Sequence, residues 1–202
     1  MSSTTITPMN AQAVGKKGYE EASRSGIWVG IFAITMSFAA FTSALFVREG
    51  AASDWQHIPL PPVLYLNTVV LLLSSVTFEL SRYTIPAATV VESEVARKGL
   101  GWLFLTLVLG LAFFAGQYVA WQQLWAHGIF LATNPNSSFF YVLTAMHGVH
   151  LLGGIAALIY VIGRLTAGRS TFRHSTFDNT AIYWHFMGIL WVYLLLICRM
   201  KL

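Results

Sequence analysis

The amino-acid sequence predicts an all-α integral membrane protein, a bundle of five transmembrane helices with a cytoplasmic N-terminus and a C-terminus on the periplasmic or outer side. Three observations support this prediction. Hydrophobic residues make up 56% of the 202 residues and charged residues only 10%, so little of the surface can face water. Five apolar segments are each long enough to cross the hydrocarbon as a helix. Basic residues are unevenly distributed between alternate connecting segments.

The N-terminal segment, residues 1–26, is polar and rich in Ser and Thr. It lacks the apolar stretch that a secretory signal peptide needs, so we expect it to be retained as a polar cytoplasmic arm. Its charges are compatible with a short surface helix and equally with a disordered tail. The remainder, residues 27–202, is expected to form the transmembrane domain.

The apolar segments are separated by residues that interrupt membrane helices. Pro61 and Pro62 precede the second segment, where proline is tolerated in the first helical turn. Asn134 and Pro135 break the chain before the fourth segment, and Gly168 with a polar run precedes the fifth. The predicted spans are residues 27–47, 63–83, 100–125, 139–162 and 181–198.

The charge pattern predicts the orientation and limits the partners. With the N-terminus inside, nine basic residues fall on the cytoplasmic side and three on the other, as the positive-inside rule requires. The net charge of +4 comes from basic residues scattered singly between apolar runs, so no nucleic-acid partner is predicted. Cys198 is the single cysteine, which excludes an internal disulfide and a thiolate metal cluster.

Polar residues within the spans are the candidates for chemistry, because they are costly in hydrocarbon. Glu79 lies three residues before Arg82, near the cytoplasmic end of the second span, and two interpretations stay open. One is a solvated interfacial ion pair, and the other is a proton relay or a contact to a partner subunit. Gln117 in the third span suits interhelical hydrogen bonding.

Three histidines are expected within the hydrocarbon. His147 and His150 lie three residues apart on one helix face, and His185 lies in an aromatic cluster with Tyr183 and Trp184. One interpretation is a metal or haem site. The other is interhelical hydrogen bonding, which the sequence favours because no carboxylate within the spans is placed to orient the imidazoles. Since no nucleophile paired with a base occurs either, we predict no catalytic, cofactor-binding or metal-ligating residue in this chain.

Four segments, in order along the chain, resemble subunit III of the haem-copper oxidases. They are residues 66–77 and 110–117, similar to the second and third core helices of that family, and residues 139–153 and 183–191, similar to its two signature regions. Before the last motif, His174 and Asp178 occupy positions where the family usually has a histidine and an acidic residue. The resemblance extends from about residue 24 to the end, and the length matches the short bacterial form with five helices.

The resemblance implies a non-catalytic subunit of a respiratory terminal oxidase of the cytochrome c oxidase type, whose partner subunits carry haem and copper. In that family, subunit III packs against subunit I in a complex with subunit II, holds phospholipid, and supports proton uptake and stability during turnover. It also implies a multi-pass protein of the bacterial inner membrane, which reaches cytochrome c or a respiratory supercomplex through other subunits. The structural, subunit-contact or lipid-contact candidates are His147, His150, Trp184, His185, Gln117, Glu79 and Asp178.

Other functions stay open from the sequence. Two related ones are subunit III of a quinol oxidase and an accessory subunit of a nitric oxide reductase. Two from different classes are an independent membrane cytochrome, which would use the buried histidines, and a small transporter. The transporter is disfavoured because the prolines lie in loops or at helix edges and the two halves show no inverted repeat.

The chain departs from the family at three acidic positions. Neutral residues, namely Ile34, Ala120 and Gly188, stand where the family commonly has carboxylates. We therefore expect the buried imidazoles to lack acidic neighbours and to hydrogen-bond to one another, to Gln117 or to water.

Overall fold

The computed structural model describes residues 8–51, 59–85, 94–167 and 174–201. These residues form five α-helices, and no strand occurs in the described ranges. The helices are α1 (Pro8–Ala51), α2 (Val63–Thr84), α3 (Glu94–Ala126), α4 (Pro135–Thr166) and α5 (His174–Lys201). All five are long and apolar enough to cross a membrane, which confirms the predicted five-helix, multi-pass class.

The helices are longer than the apolar segments that predicted them. α4 begins at Pro135, ahead of the predicted span, because Asn134 caps it: the Asn134 side-chain oxygen accepts from the Ser137 N–H at 2.9 Å. Ser137 Oγ accepts in return from the Asn134 N–H at 3.3 Å, which completes a capping box. Hydropathy marks the boundary of the hydrocarbon, whereas capping marks the end of a helix.

The largest extension is in α1. Its helical backbone begins at Pro8 and continues without a break into the first span. Residue 27 is therefore not a boundary of secondary structure. Residues 1–7 of the predicted arm lie outside the described residues, and the cytoplasmic location of the arm stays a prediction.

Contacts between the helices make α4 and α5 the centre of the bundle. α2 and α3 pack most extensively against each other, and the backbone of this pair lies closest to α5 through α2 and to α4 through α3. α1 packs against α5 and α4, and within the described ranges it has no contact with α2 or α3. α5 therefore joins α1 to the α2–α3 pair.

Buried hydroxyl groups tie α2 to α3. Thr77 Oγ1 and Thr106 Oγ1 lie 2.8 Å apart, and Ser81 Oγ donates to the Gly99 carbonyl at 2.9 Å. Hydrogen bonds of this kind, with close approach at small residues, hold helices together in lipid, where burying apolar surface adds little.

Candidate functional site

Four charged or titratable side chains of α2 and α5 form a cluster where α2 ends and α5 begins. Arg82 lies between two carboxylates: its Nη1 is 3.1 Å from Glu79 Oε2, and its Nη2 is 3.0 Å from Asp178 Oδ1. His185 Nε2 is 3.2 Å from the same Glu79 oxygen. The four side chains are between 33% and 36% exposed, so this charged cluster lies at the surface of the chain.

The charged cluster agrees with one expectation and corrects another. Glu79 and Arg82 form the ion pair that their spacing predicts. The expectation that no carboxylate orients the imidazoles is wrong for His185, because Glu79 reaches it from α2. These two residues are 106 positions apart in the sequence and meet only because α2 packs against α5. The side chain of His174, which the resemblance grouped with Asp178, lies outside the described part of the chain.

Two buried tryptophans of α5 donate hydrogen bonds to hydroxyl groups of α2. Trp184 Nε1 donates to Ser74 Oγ at 3.1 Å, and Trp191 Nε1 donates to Thr68 Oγ1 at 3.0 Å. Trp184 is 0% exposed and also packs against Gly110 of α3, where a Cβ atom would come within 2.7 Å of the indole ring. Trp184 therefore fits tightly between α2 and α3, with its polar N–H satisfied.

The two histidines of α4 contact different helices, although they are three residues apart. His150 Nδ1 is 2.7 Å from the Met146 carbonyl of its own helix, and its ring lies 5.8 Å from the Phe38 ring of α1, between centroids. The His150 carbonyl accepts from Tyr183 Oη of α5 at 2.9 Å. The Nδ1 atom of His150 is therefore bonded within α4, while the ring and the carbonyl of this residue contact α1 and α5.

His147 is buried among aromatic rings. It is 1% exposed, and its ring centroid lies 6.0 Å from that of Phe113 and 5.2 Å from that of Trp191. Neither of its ring nitrogens has a hydrogen-bond partner among the described residues, and the same holds for the side-chain amide of Gln117. The expectation that the imidazoles would bond to one another, or directly to Gln117, is therefore wrong for the described part of the chain.

The three positions without the expected carboxylate lie at packed surfaces. Ala120 is 0% exposed, and Ile34 packs against the core. At Gly188 a Cβ atom would lie 3.4 Å from Ser75 Oγ of α2, one helical turn from Glu79. The acidic neighbour of His185 is thus supplied by α2 and not by α5.

A cavity of about 510 Å³ lies between α1, α4 and α5. Gly26 of α1 and Gly153 of α4 leave room for it, and Tyr183 and Asn179 of α5 line it with polar groups. At its edge Asn179 Nδ2 donates to Ser23 Oγ at 2.9 Å, which ties α5 to α1. The cavity is not predicted by any sequence motif, since its lining is marked in the sequence by small residues that lie on two different helices.

The arrangement holds helices together and exposes one charged cluster. Within the described ranges, no group of three or more His, Cys, Asp or Glu side chains could hold a metal ion. The bonds from Glu79 to His185 and from Trp184 to Ser74 join α2 to α5, whereas the bond from His150 to the Met146 carbonyl lies within α4.

Comparison with known proteins shows the family. The family model described as cytochrome c oxidase subunit III matches residues 21–200 of this chain. The chain belongs to the cytochrome c oxidase subunit III family. This confirms the resemblance carried by the four sequence motifs. Subunit III is a non-catalytic oxidase subunit, so the chain functions as subunit III of a haem-copper oxidase, in a membrane complex with other oxidase subunits.

Individual subunit III sequences agree with the family match. The probable cytochrome c oxidase subunit 3 of Mycobacterium leprae is 30% identical over 166 residues, which cover 78% of this chain and 77% of the relative. That of Nocardia farcinica is 31% identical over 162 residues, which cover 78% of this chain and 77% of the relative. The cytochrome c oxidase subunit 3 of Paracentrotus lividus is 38% identical over 169 residues, which cover 81% of this chain and 61% of the relative.

Proposed function

We propose that this subunit III serves an oxidase of the cytochrome c type in a bacterial inner membrane. It packs there against subunit I, in a complex with subunit II, and the partner subunits carry the haem and copper. The observation that carries the proposal is the family match over residues 21–200. The names of the bacterial relatives, from Mycobacterium and Nocardia, support the cytochrome c type and the bacterial membrane.

The test of this assignment compares the purified oxidase with and without the chain. We expect haem and copper spectra from both preparations, a colourless isolated chain, and faster loss of oxygen reduction during turnover when the chain is absent. Haem bound stoichiometrically to the isolated chain would contradict the assignment and favour an independent cytochrome. Oxygen consumption with a quinol donor but not with cytochrome c would favour a quinol oxidase instead.

Within this function, the charged cluster is the part of the subunit that supports proton uptake. The excess of basic residues favours a cytoplasmic location for this end of the bundle. Glu79, Asp178 and His185 carry carboxylate and imidazole groups and are about one third exposed at the surface of the chain. Arg82 holds both carboxylates in position.

Neutral variants test this role. Glu79→Gln combined with Asp178→Asn should leave the subunit bound and slow proton uptake by the oxidase, because two proton-binding groups are removed. The matched control is Glu49→Gln, which removes a carboxylate paired with Lys201 at the opposite end of the bundle, at 2.9 Å. Proton uptake that is equal in the cluster variant and the control would contradict the role.

The surface of α1 offers a contact for a transmembrane helix of a partner subunit. Small residues recur at helical spacing along one stripe of α1, which we call the small-residue stripe: Gly30, Ala33, Ser37, Ala40 and Ala44. All but Gly30 are exposed, and a Cβ atom at Gly30 would meet nothing within 4 Å. Small residues let the backbones of two membrane helices approach closely, so the stripe fits a helix of subunit I.

Cysteine cross-linking tests the stripe. Ser37→Cys should cross-link to another oxidase subunit, whereas Met36→Cys, on the large apolar face next to the stripe and 56% exposed, should not. The native Cys198 is 2% exposed, so it should contribute little cross-linking of its own. Equal cross-linking at the two positions would contradict a contact that is specific to the stripe.

The cavity between α1, α4 and α5 is suited to a phospholipid. Its volume of about 510 Å³ and its small walls admit part of a lipid, and Asn179 and Tyr183 present polar groups to it. Gly153→Leu should narrow the cavity at its α4 wall and weaken the retention of a bound lipid detected by native mass spectrometry. Gly163→Leu, at a glycine whose Cβ would meet nothing within 4 Å, is the control. Lipid retention in both variants would contradict binding in this cavity.

A further inference from the structure

Two buried polar side chains lie at the same level between α3 and α4. The register of these helices is given by Trp121, whose Nε1 donates to Thr144 Oγ1 at 3.2 Å. Because the helices are antiparallel, one turn in the same direction leads from Trp121 to Gln117 on α3 and from Thr144 to His147 on α4. Phe113, one turn further along α3, contacts the His147 ring. Gln117 and His147 therefore belong to the facing surfaces of the two helices.

Both side chains are more than nine-tenths buried, since Gln117 is 7% exposed and His147 is 1% exposed. The amide oxygen and nitrogen of Gln117 and both ring nitrogens of His147 lack a hydrogen-bond partner among the described residues. Buried polar atoms in folded proteins nearly always have a partner in the protein or in ordered water. Four such atoms at one level indicate that a ligand completes the site.

The aromatic side chains next to His147 cannot be the missing partner. The rings of Phe113 and Trp191 lie 6.0 Å and 5.2 Å from the imidazole, between centroids. The indole N–H of Trp191 already donates to Thr68, and that of Trp121 to Thr144. The partner of His147 must therefore come from outside these aromatic side chains.

We propose that Gln117 and His147 hold an internal water molecule that bridges α3 and α4. A carboxamide offers a donor and an acceptor, a neutral imidazole does the same, and water is the smallest ligand that complements both. A bridging water bonds nearly as well as a direct contact, and buried waters typically have about three partners. This water continues the α3–α4 connection one turn beyond the bond from Trp121 to Thr144.

A density map of the intact oxidase, at a resolution that shows ordered water, tests the site directly. We expect a peak at hydrogen-bonding distance, about 2.7–3.2 Å, from a ring nitrogen of His147 and from the Gln117 amide. A map with no such peak, or with the two side chains in direct contact, overturns the proposal. Oxidase activity does not enter this test, so the outcome is independent of the proposed function.

A double-mutant cycle in the same complex tests the bridge in solution. His147→Phe and Gln117→Leu should each lower the temperature of subunit III release by about 2–4 °C, because each leaves the water and the opposite side chain with one partner fewer. The double variant should be lowered by less than the sum of the two. Gln122→Leu, an exposed position on α3, is the control and should show no coupling to His147→Phe. The bridge is overturned if either single variant raises the release temperature. It is also overturned if the decrease in the double variant equals the sum of the two single decreases.

Discussion

Gly110→Ala is the substitution for which the structure gives the sharpest expectation. A Cβ atom at Gly110 would lie 2.7 Å from Cη2 and 3.1 Å from Cζ2 of Trp184, whereas ordinary contact begins at 3.4 Å. The indole cannot move away freely, because Trp184 is 0% exposed and its ring lies 6.3 Å from that of Phe78, between centroids. Its N–H is also held by Ser74 at 3.1 Å. The substitution must therefore separate α3 from α5 or displace the indole.

Three terms set the magnitude. Overpacking a filled core costs about 1–3 kcal/mol. Displacing the indole weakens its bond to Ser74, and interhelical bonds in membrane proteins contribute about 0.6 kcal/mol on average. Replacing glycine by alanine within a helix stabilises the helix by about 1 kcal/mol. The control Gly101→Ala, on the same helix and with nothing within 4 Å of its Cβ, gains the last term alone. Because that term is common to both variants, the difference between them is about 1.6–3.6 kcal/mol.

The assay is thermal release of subunit III from the purified oxidase, followed by native gel electrophoresis. Gly110→Ala should release the subunit roughly 3–14 °C below Gly101→Ala. Adding Trp184→Phe to Gly110→Ala should recover part of the loss, because the smaller ring makes room for the methyl group. Release at the same temperature in both alanine variants would refute the tight packing of Trp184 against α3.

Three further substitutions can be measured by the same release assay. Arg82→Met should cost only about 0.2–1 kcal/mol, and less at high salt, because its ion pairs are partly exposed. Trp191→Phe and Thr68→Val should each reduce the stability of the bound subunit by about 0.6 kcal/mol, because each removes the same hydrogen bond. The double variant should be little less stable than either single variant. If the two losses of stability add in full, the bond is absent. Gly116→Ala should destabilise by about 1–3 kcal/mol, because its Cβ would overlap the Asn67 side chain, and unchanged release would contradict that packing.

Hydropathy was sufficient to predict the number and approximate extent of the helices. The length of each apolar segment matches the thickness of the hydrocarbon layer that a helix must cross. Each of the five predicted spans lies within one observed helix. The helix ends were less predictable, because they depend on local capping. Asn134, which the sequence analysis read as a chain break, is also the residue that starts α4.

The partners of the site residues could be predicted only where they lie close in the sequence. The Glu79–Arg82 pair follows from a spacing of three residues on one helix. The contact from Glu79 to His185 depends on how α2 packs against α5, which the order of residues does not specify. His147 and His150 share a helix and a spacing of three residues, but one ring contacts α3 and α5 and the other α1.

The central position of α5 has a consequence for biosynthesis. Membrane helices are made in chain order, and among the first three helices the described residues show only the contact between α2 and α3. Until the last helix inserts, α1 can pack only against α4, and the α2 hydroxyl groups of Ser74 and Thr68 have no indole donor. A chain truncated before α5 would keep these hydroxyl groups bonded only to carbonyls of α2 and would hold α1 only through α4, so assembly of the bundle depends on insertion of the last helix.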